Sequence, residues 1–364
     1  MSRHIHSLTV SNFRAFQSLT VEGLGGVTLI TGQNNAGKST FLESLWLLFT
    51  NASPLTLHSI LESRDTRPSR ASDDPVVCSL FTGYPNLEDC TEPFSFSATD
   101  SKGNVRYSIS TQIKWSEVSS SEDVLDNKGK EINDFGFRYS PRPHIVIQGK
   151  QGHWLLMLEA FNAMGSNPSS LSVKTLLPCI FVGSNGLRNS NHYASLWDNI
   201  ALTPEEQDLI AALQIISPGI LDVRIVGSQD SSTKRTIIVK SKEYKRPVTL
   251  GSYGDGVNRL FGLILSLISA KNGVLLVDEI ENGFHYSILP KVWETVFTLA
   301  RRWNVQVFAT THSWDCIESF QKAASNDPEE GVLLRLLRHE GVTYPTVFCE
   351  KELEVATRAH IELR

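Results

Sequence analysis

The spacing of apolar and polar positions changes period along the chain. Near the start, "HSLTV" alternates while "GVTLIT" is a continuous apolar run, which predicts one half-buried and one fully buried strand. "KSTFLESLWLLF" has helical spacing, so residues 6–50 read strand, loop, strand, loop, helix. Residues 51–70 show no period and read as irregular. From 75 to 160 the chain reads as a β-rich meander through "PVVCSLFTG", "PFSFSATDSKGNVRYSISTQIKW" and "RPHIVIQG". Asp100 to Asn104 ("DSKGN") is expected to form a hairpin turn, with Gly103 free to take positive φ. Residues 116–134 ("SEVSSSEDVLDNKGKEIND") are polar and are expected to form a mobile, exposed loop.

Helical spacing returns near residue 200. "LTPEEQDLIAALQII" predicts a helix with Thr203 as N-cap, Pro204 in its first turn and Glu206 closing a capping box. Strands "LDVRIV" and "KRTIIVKS" follow. Then come helix "GVNRLFGLILSLISA", strand "GVLLVDEI", helix "HYSILPKVWETVFTLARRW", strand "VQVFATTH", helix "WDCIESFQKAA" and a short final helix. No heptads run through the middle, which excludes a coiled-coil arm. The expected organisation is an α/β core in two sequence halves, residues 1–50 and 191–364, split by a β-rich lobe over 51–190.

Composition narrows the class. Of 364 residues, 41% are hydrophobic and 20% charged, which suits a soluble globular protein. The net charge of −5 gives no overall basic footprint for nucleic acid, although it says nothing about local patches. No apolar run is long enough for a membrane span, and "MSRHIHSLTV" lacks the apolar core of a signal peptide. Cys78, Cys90, Cys179, Cys316 and Cys349 are odd in number and lack C-x-x-C spacing, which fits free thiols in a reducing cytoplasm.

Four stretches carry candidate chemistry. "GQNNAGKST" contains G-x-x-x-x-G-K-S between a strand and a helix. Loop amides from Asn34, Asn35, Ala36, Gly37 and Thr40 can wrap phosphate oxygens, Lys38 supplies a point charge to the β/γ-phosphates, and Ser39 offers a hydroxyl to Mg²⁺. "GVLLVDEIE" is a buried strand ending in paired carboxylates, where Asp278 would serve Mg²⁺ through water and Glu279 would polarise the attacking water. "VQVFATTHS" ends in His312, which can donate to the γ-phosphate or to that water. "LGSYGDGVNRL" places Ser252, Gly254 and Asp255 at a second helix start suited to an anion. One chain needs a single such site for its own phosphates, so the second suggests service to another subunit's nucleotide.

Together these stretches resemble the head of an ABC-type ATPase of the branch that includes the SMC and RecF-like proteins. "SNFRAF" (Ser11 to Phe16) is similar to that branch's N-terminal strand, and on this resemblance Arg14 is assigned to the nucleotide site. "LGSYGDGVNRL" resembles the signature loop but departs from the L-S-G-G-Q of transporters. "DEIENGFHYS" resembles the extended acidic strand and D-loop of the overcoming-lysogenization-defect (OLD) ATPases and their stand-alone relatives. "LWDNIALTPEEQDLIAALQIISPGI" looks like a further segment of those relatives. A glutamine-loop residue has one weak candidate, Gln148.

The implied fold is an α/β P-loop NTPase of ABC-head type, a mixed sheet flanked by helices with a large, mostly β insertion between the phosphate loop and the signature. The implied cofactors are ATP and Mg²⁺, and the implied assembly is a homodimer unit, with higher oligomers open. Nucleases of the OLD group carry a C-terminal Toprim domain; the residues after His312 are too few for one, which implies the ATPase alone, working with a separately encoded effector in defence against phage. A RecF-like DNA repair clamp is the alternative, with DNA as a further candidate ligand. A transporter subunit is disfavoured by the insertion and by "NFRAF". A scaffold without turnover is disfavoured by intact Lys38, Asp278, Glu279 and His312.

Overall fold

Continuous apolar runs become a parallel sheet covered on both faces. The computed structural model describes residues 3–63, 76–116, 142–150, 152–158, 174–186, 190–228 and 231–364. Strands β1 (Ser7–Phe13), β2 (Phe16–Glu22) and β3 (Val27–Gly32) lead into helices α1 (Lys38–Phe49) and α2 (Pro54–Glu62). Next come β4 (Phe94–Thr99), β5 (Val105–Ser116), β6 (Arg142–Gly149), β7 (Gly152–Met157) and β8 (Cys179–Val182). Helices α3 (Ser190–Ile200) and α4 (Pro204–Ile216) precede β9 (Ile220–Ser228), β10 (Ser231–Ser241) and β11 (Val248–Thr249). The chain ends through α5 (Asp255–Ser269), β12 (Val274–Val277), α6 (Leu289–Trp303), β13 (Gln306–Thr310), α7 (Trp314–Ala324), β14 (Gly331–His339), β15 (Val342–Phe348) and α8 (Glu350–Arg358).

The central sheet has the order β15-β14-β3-β13-β12-β8. Its strands run parallel except β15, which pairs antiparallel with β14. Side chains alternate between its two faces. Leu29, Leu275, Val277, Val307 and Ala309 join a core with residues of α4–α7. Ile30, Leu276, Phe308 and Leu334 join a second core with α1, α2 and a six-stranded antiparallel sheet ordered β2-β1-β4-β5-β6-β7. Helix α1 packs against both sheets, and every residue in it except Ser39 and Trp46 is buried. That explains its sequence: a helix apolar nearly all round must sit inside. A small sheet, β11-β10-β9, leads into α5.

The architecture is the mixed, helix-flanked P-loop α/β fold expected. The 51–190 stretch pairs with the core on both sides: β4 pairs with β1 (Leu8 opposite Ala98), and β8 pairs with β12 (Leu276 opposite Phe181). Its strands complete the sheets of the core.

Three local readings are corrected. Residues 51–70 contain α2, which starts at Ser53, whose hydroxyl accepts from the Thr56 amide at 3.2 Å, with Pro54 in its first turn. "PVVCSLFTG" forms a 3₁₀ turn over Val76–Leu80 rather than a strand. Strand β1 is already paired on both sides, leaving only a bridge between Phe13 and Phe81. Thr203 makes no cap bond: its hydroxyl donates to the Ile200 carbonyl at 2.6 Å, and Glu206 accepts from the Leu202 amide at 2.6 Å instead.

The Asp100–Asn104 turn forms as expected. Asp100 Oδ1 accepts from the Lys102 and Asn104 amides, and Gly103 sits at φ 79°. The loop expected over 116–134 lies, past its first residue, outside the described residues. None of the five cysteines is in a disulfide, and the buried Cys90 thiol donates to Cys78 Sγ at 3.6 Å. Among the described residues no helix is long and apolar enough to cross a membrane.

Candidate functional site

The loop between β3 and α1 bends through left-handed backbone at Asn35 (φ 64°) and Gly37 (φ 102°). A Cβ on Gly37 would stand 2.5 Å from the Phe16 ring, so only glycine fits there. Phe16, the last residue of "NFRAF", thereby supports the loop. Gln33, Asn34 and Asn35 are exposed, while Ala36 and Thr40 are buried. Lys38 is buried, and its Nζ donates to the carbonyls of Gly32 (2.6 Å) and Gln33 (2.9 Å). Burial lowers the Lys38 pKa, while Asp278, Glu279 and Glu281 pull it back up. Helix α1 begins at Lys38, so its positive end faces the loop.

The acidic residues meet this loop because β12 and β3 are two places apart in one parallel sheet and end at the same edge. Ser39 Oγ donates to the Asp278 carboxylate at 3.2 and 3.4 Å. Glu279 follows with φ 50°, an uncommon conformation for a residue with a side chain, and it is anchored at both ends. Its amide donates to Thr310 Oγ1 at 2.8 Å, and its Oε2 accepts from Asn282 Nδ2 at 2.6 Å. Thr310 Oγ1 in turn donates to Asp278 Oδ1 at 2.6 Å. The His312 amide donates to Glu281 Oε1 at 2.8 Å, and its ring Nε2 lies 4.0 Å from Glu279 Oε1. Lys38, Ser39, Asp278, Glu279 and His312 thus form one constellation.

A divalent cation in a P-loop needs few protein ligands, because phosphate and water supply the rest. The Ser39 hydroxyl held against the Asp278 carboxylate fits that need. Among the described residues no cluster of three or more His, Cys, Asp or Glu suits a metal, so a cation here would depend on the phosphates.

The other assigned residues are held by different neighbours. Ser252 belongs to a 3₁₀ turn over Leu250–Tyr253, and its hydroxyl shares a 3.0 Å hydrogen bond with Thr249. Gly254 (φ 89°) and Asp255 open α5, and Ser252, Gly254 and Asp255 are all exposed. Among the described residues no hydrogen bond joins this turn to the chain's own phosphate loop. Arg14 pairs with Glu43 of α1 at 2.8 Å, so in this structure it braces the helix. Gln148 lies on β6 beside Gly149, where an added Cβ would meet Asn51 just past the far end of α1. At 1.5 Å per residue, that end is roughly 18 Å from the phosphate loop, so Gln148 does not reach the site.

Further contributors were not assigned from the sequence. Thr310 and Asn282 fix the carboxylates, as above. Half-buried Arg259 of α5 donates to the carbonyls of Gly183 (3.0 Å), Asp278 and Glu279 (both 3.4 Å), tying α5 to the acidic strand. Burial lowers the Arg259 pKa, opposed by Tyr193, Glu281, Asp278 and Glu279. The hairpin β14–β15 grips the loop from the other side. Arg338 donates to the Asn35 carbonyl and Thr343 to the Ala36 carbonyl, both at 3.3 Å.

The family model described as "AAA domain, putative AbiEii toxin, Type IV TA system" matches residues 185–315, and one described as "AAA domain" matches residues 7–140. The chain is 23% identical to an ATP/GTP phosphatase of Helicobacter pylori, over 96% of this chain and 92% of that protein. It is 37% identical to an uncharacterized protein of Methanocaldococcus jannaschii, over 21% of this chain and 68% of that one. Among solved structures it is similar to an SMC head bound to the C-winged helix domain of ScpA (TM-score 0.49, 12% identity, covering 98% of this chain and 100% of that one). It is also similar to the SMC head domain from Thermotoga maritima (TM-score 0.46, 13% identity, covering 95% and 99%).

Proposed function

We propose, for a chain that belongs to the P-loop ATPases and hydrolyses ATP, that two copies close head to tail around two ATP molecules and that this cycle switches a separately encoded effector. The observation that carries the reading is the separation of two half-sites. One half, Lys38 to Thr40 with Asp278, Glu279 and His312, is assembled within the chain. The other, made of Ser252, Gly254 and Asp255, is exposed, and the Ser252 hydroxyl bonds only to nearby Thr249 among the described residues.

The roles follow from the chemistry. Loop amides and Lys38 hold the phosphates, with Asn34, Asn35, Ala36, Gly37 and Thr40 contributing backbone. Ser39 and Asp278 would hold Mg²⁺, which would supply charge neutralisation at the phosphates. Glu279 accepts the proton of the attacking water, and His312 stands beside it to donate toward charge developing on the γ-phosphate. Ser252, Gly254 and Asp255 of a second copy would cover the open face of the phosphates. Anions at α5 gain from its N-terminal dipole, although Asp255 already takes part of that gain.

The match to a model described with a toxin–antitoxin system supports a defence role, as does the OLD-like "DEIENGFHYS". The ATPase then acts as sensor, and a partner protein carries the harmful activity.

Glu279→Gln tests the cycle. The variant keeps the shape and loses the base, so turnover should fall about 100-fold or more while ATP still binds. Light scattering should show monomers without nucleotide and dimers with ATP. An unchanged mass with ATP, at concentrations where ATP is bound, would contradict the proposal.

A further inference from the structure

The connection from β10 to β11 carries an unusual charge pattern for this protein. The chain is net negative, at −5. Within "KSKEYKR", however, Lys240, Lys242, Lys245 and Arg246 stand against the single Glu243. All four cations are exposed. None of them makes an ion pair among the described residues, in contrast to the arginines nearby. Arg224 on β9 is paired with Glu206 and Asp222, and Arg235 on β10 is paired with Asp198 at 2.6 Å. Asp222, which stands opposite Lys240 in the ladder, is therefore already engaged. Glu243 lies against Gly219, where an added Cβ would come 2.7 Å from its Oε1. Four uncompensated charges on one short segment repel each other, and a polyanion relieves that repulsion.

An aromatic residue sits among them. Tyr244 is 44% exposed, and its ring meets Tyr253 edge to face at a centroid distance of 5.6 Å. Tyr253 belongs to the Leu250–Tyr253 turn, next to Ser252. The basic segment therefore touches the element that Proposed function assigns to the second copy's nucleotide.

We infer that residues 240–246 form a binding site for a single-stranded nucleic acid, and that Tyr244 transmits its occupancy to the signature turn. Several point charges along one segment match a chain of phosphates better than one small anion. An exposed ring between cations offers a stacking face that bases use and acidic peptides do not. The transmission step rests on the dimer reading; the binding step does not.

The test uses the full-length protein and a fluorescein-labelled oligothymidylate. Anisotropy should report binding whose logarithm falls linearly with that of salt, with a slope of about −2 to −3 for three to four phosphate contacts. Replacing Lys240, Lys242, Lys245 and Arg246 together by Gln should weaken binding by roughly tenfold or more. The fold and the oligonucleotide-free ATPase rate of that variant should be kept. Equal binding by the variant, or wild-type binding indifferent to salt, would overturn the site. Competition by polyglutamate as effective as by unlabelled oligothymidylate would overturn the nucleic-acid assignment in favour of an acidic protein. Tyr244→Leu tests transmission: the oligonucleotide should change the wild-type ATPase rate and leave that of Tyr244→Leu unchanged. If the wild-type rate ignores a bound oligonucleotide, transmission is overturned while the binding site stands. Failure of the dimer reading itself shows separately, as a Glu279→Gln mass that ATP does not change.

Discussion

Glu279 shows how the site is built residue by residue. Its backbone is left-handed at φ 50°, and Thr310 holds it there from the neighbouring strand. The same hydroxyl donates to Asp278, so a single atom holds the Asp278 carboxylate and the Glu279 backbone. Thr310→Val keeps the shape and removes both bonds. Losing the buried bond to the carboxylate should cost about 1.5–3 kcal/mol. We expect kcat to fall about tenfold or more with ATP affinity nearly intact, measured by steady-state assay and nucleotide titration. A variant with unchanged kcat would show that Thr310 does not position the base. Lys38, Ser39, Asp278 and Glu279 were legible in the sequence because phosphate chemistry dictates their types and their place at strand ends. Thr310 and Asn282 were not: a threonine ending a strand has no distinctive pattern, and its partners come from another strand far away in the chain.

At the scale of elements, the C-terminal hairpin governs the phosphate loop. Leu336 of β14 stands opposite Gly32, and a Cβ on Gly32 would come 2.2 Å from the Leu336 carbonyl oxygen. With Arg338 on Asn35 and Thr343 on Ala36, the hairpin meets the loop at three points. Arg338→Ala should therefore loosen the loop and raise KM for ATP by about two- to tenfold, the worth of one hydrogen bond, with kcat little changed. Arg338→Lys should recover part of the loss. An unchanged KM in Arg338→Ala would remove the hairpin from this role. The segment "LLRLLRHEGVTYPTVFC" carries a turn signal in Glu340 and Gly341, both at positive φ, but its contact with the loop depends on parallel pairing between β14 and β3. Sequence spacing does not reveal such pairings. The α/β alternation after residue 250 was legible from continuous apolar runs, whereas α2 hid behind a Ser-Pro start and "PVVCSLFTG" lacked a free ladder to join.

Over the whole molecule, the sequence pattern located two halves of an α/β core with a β-rich stretch between them, and strand pairing ties that stretch to both halves. Strands β4 to β7 extend the sheet begun by β1 and β2, and β8 closes the parallel sheet next to β12. Pairing between distant segments joins what composition divides. The same layout keeps Lys38, Asp278 and Glu279 at the end of β3 and β12, and Ser252, Gly254 and Asp255 exposed at the start of α5, where the proposal places the nucleotide of a second copy. Arg259 links these two places within one chain, so engagement of the signature turn can bear on the acidic strand. Mixing two inactive variants tests this most directly. Ser252→Arg should block the exposed half-site and leave Lys38 in place, and Lys38→Ala should do the reverse. In a mixed dimer, one composite site then carries both lesions and the other carries neither. The account predicts that ATPase activity in the mixture rises above the sum of the two variants assayed alone. No rise, in a mixture where mixed dimers are shown to form, would contradict it.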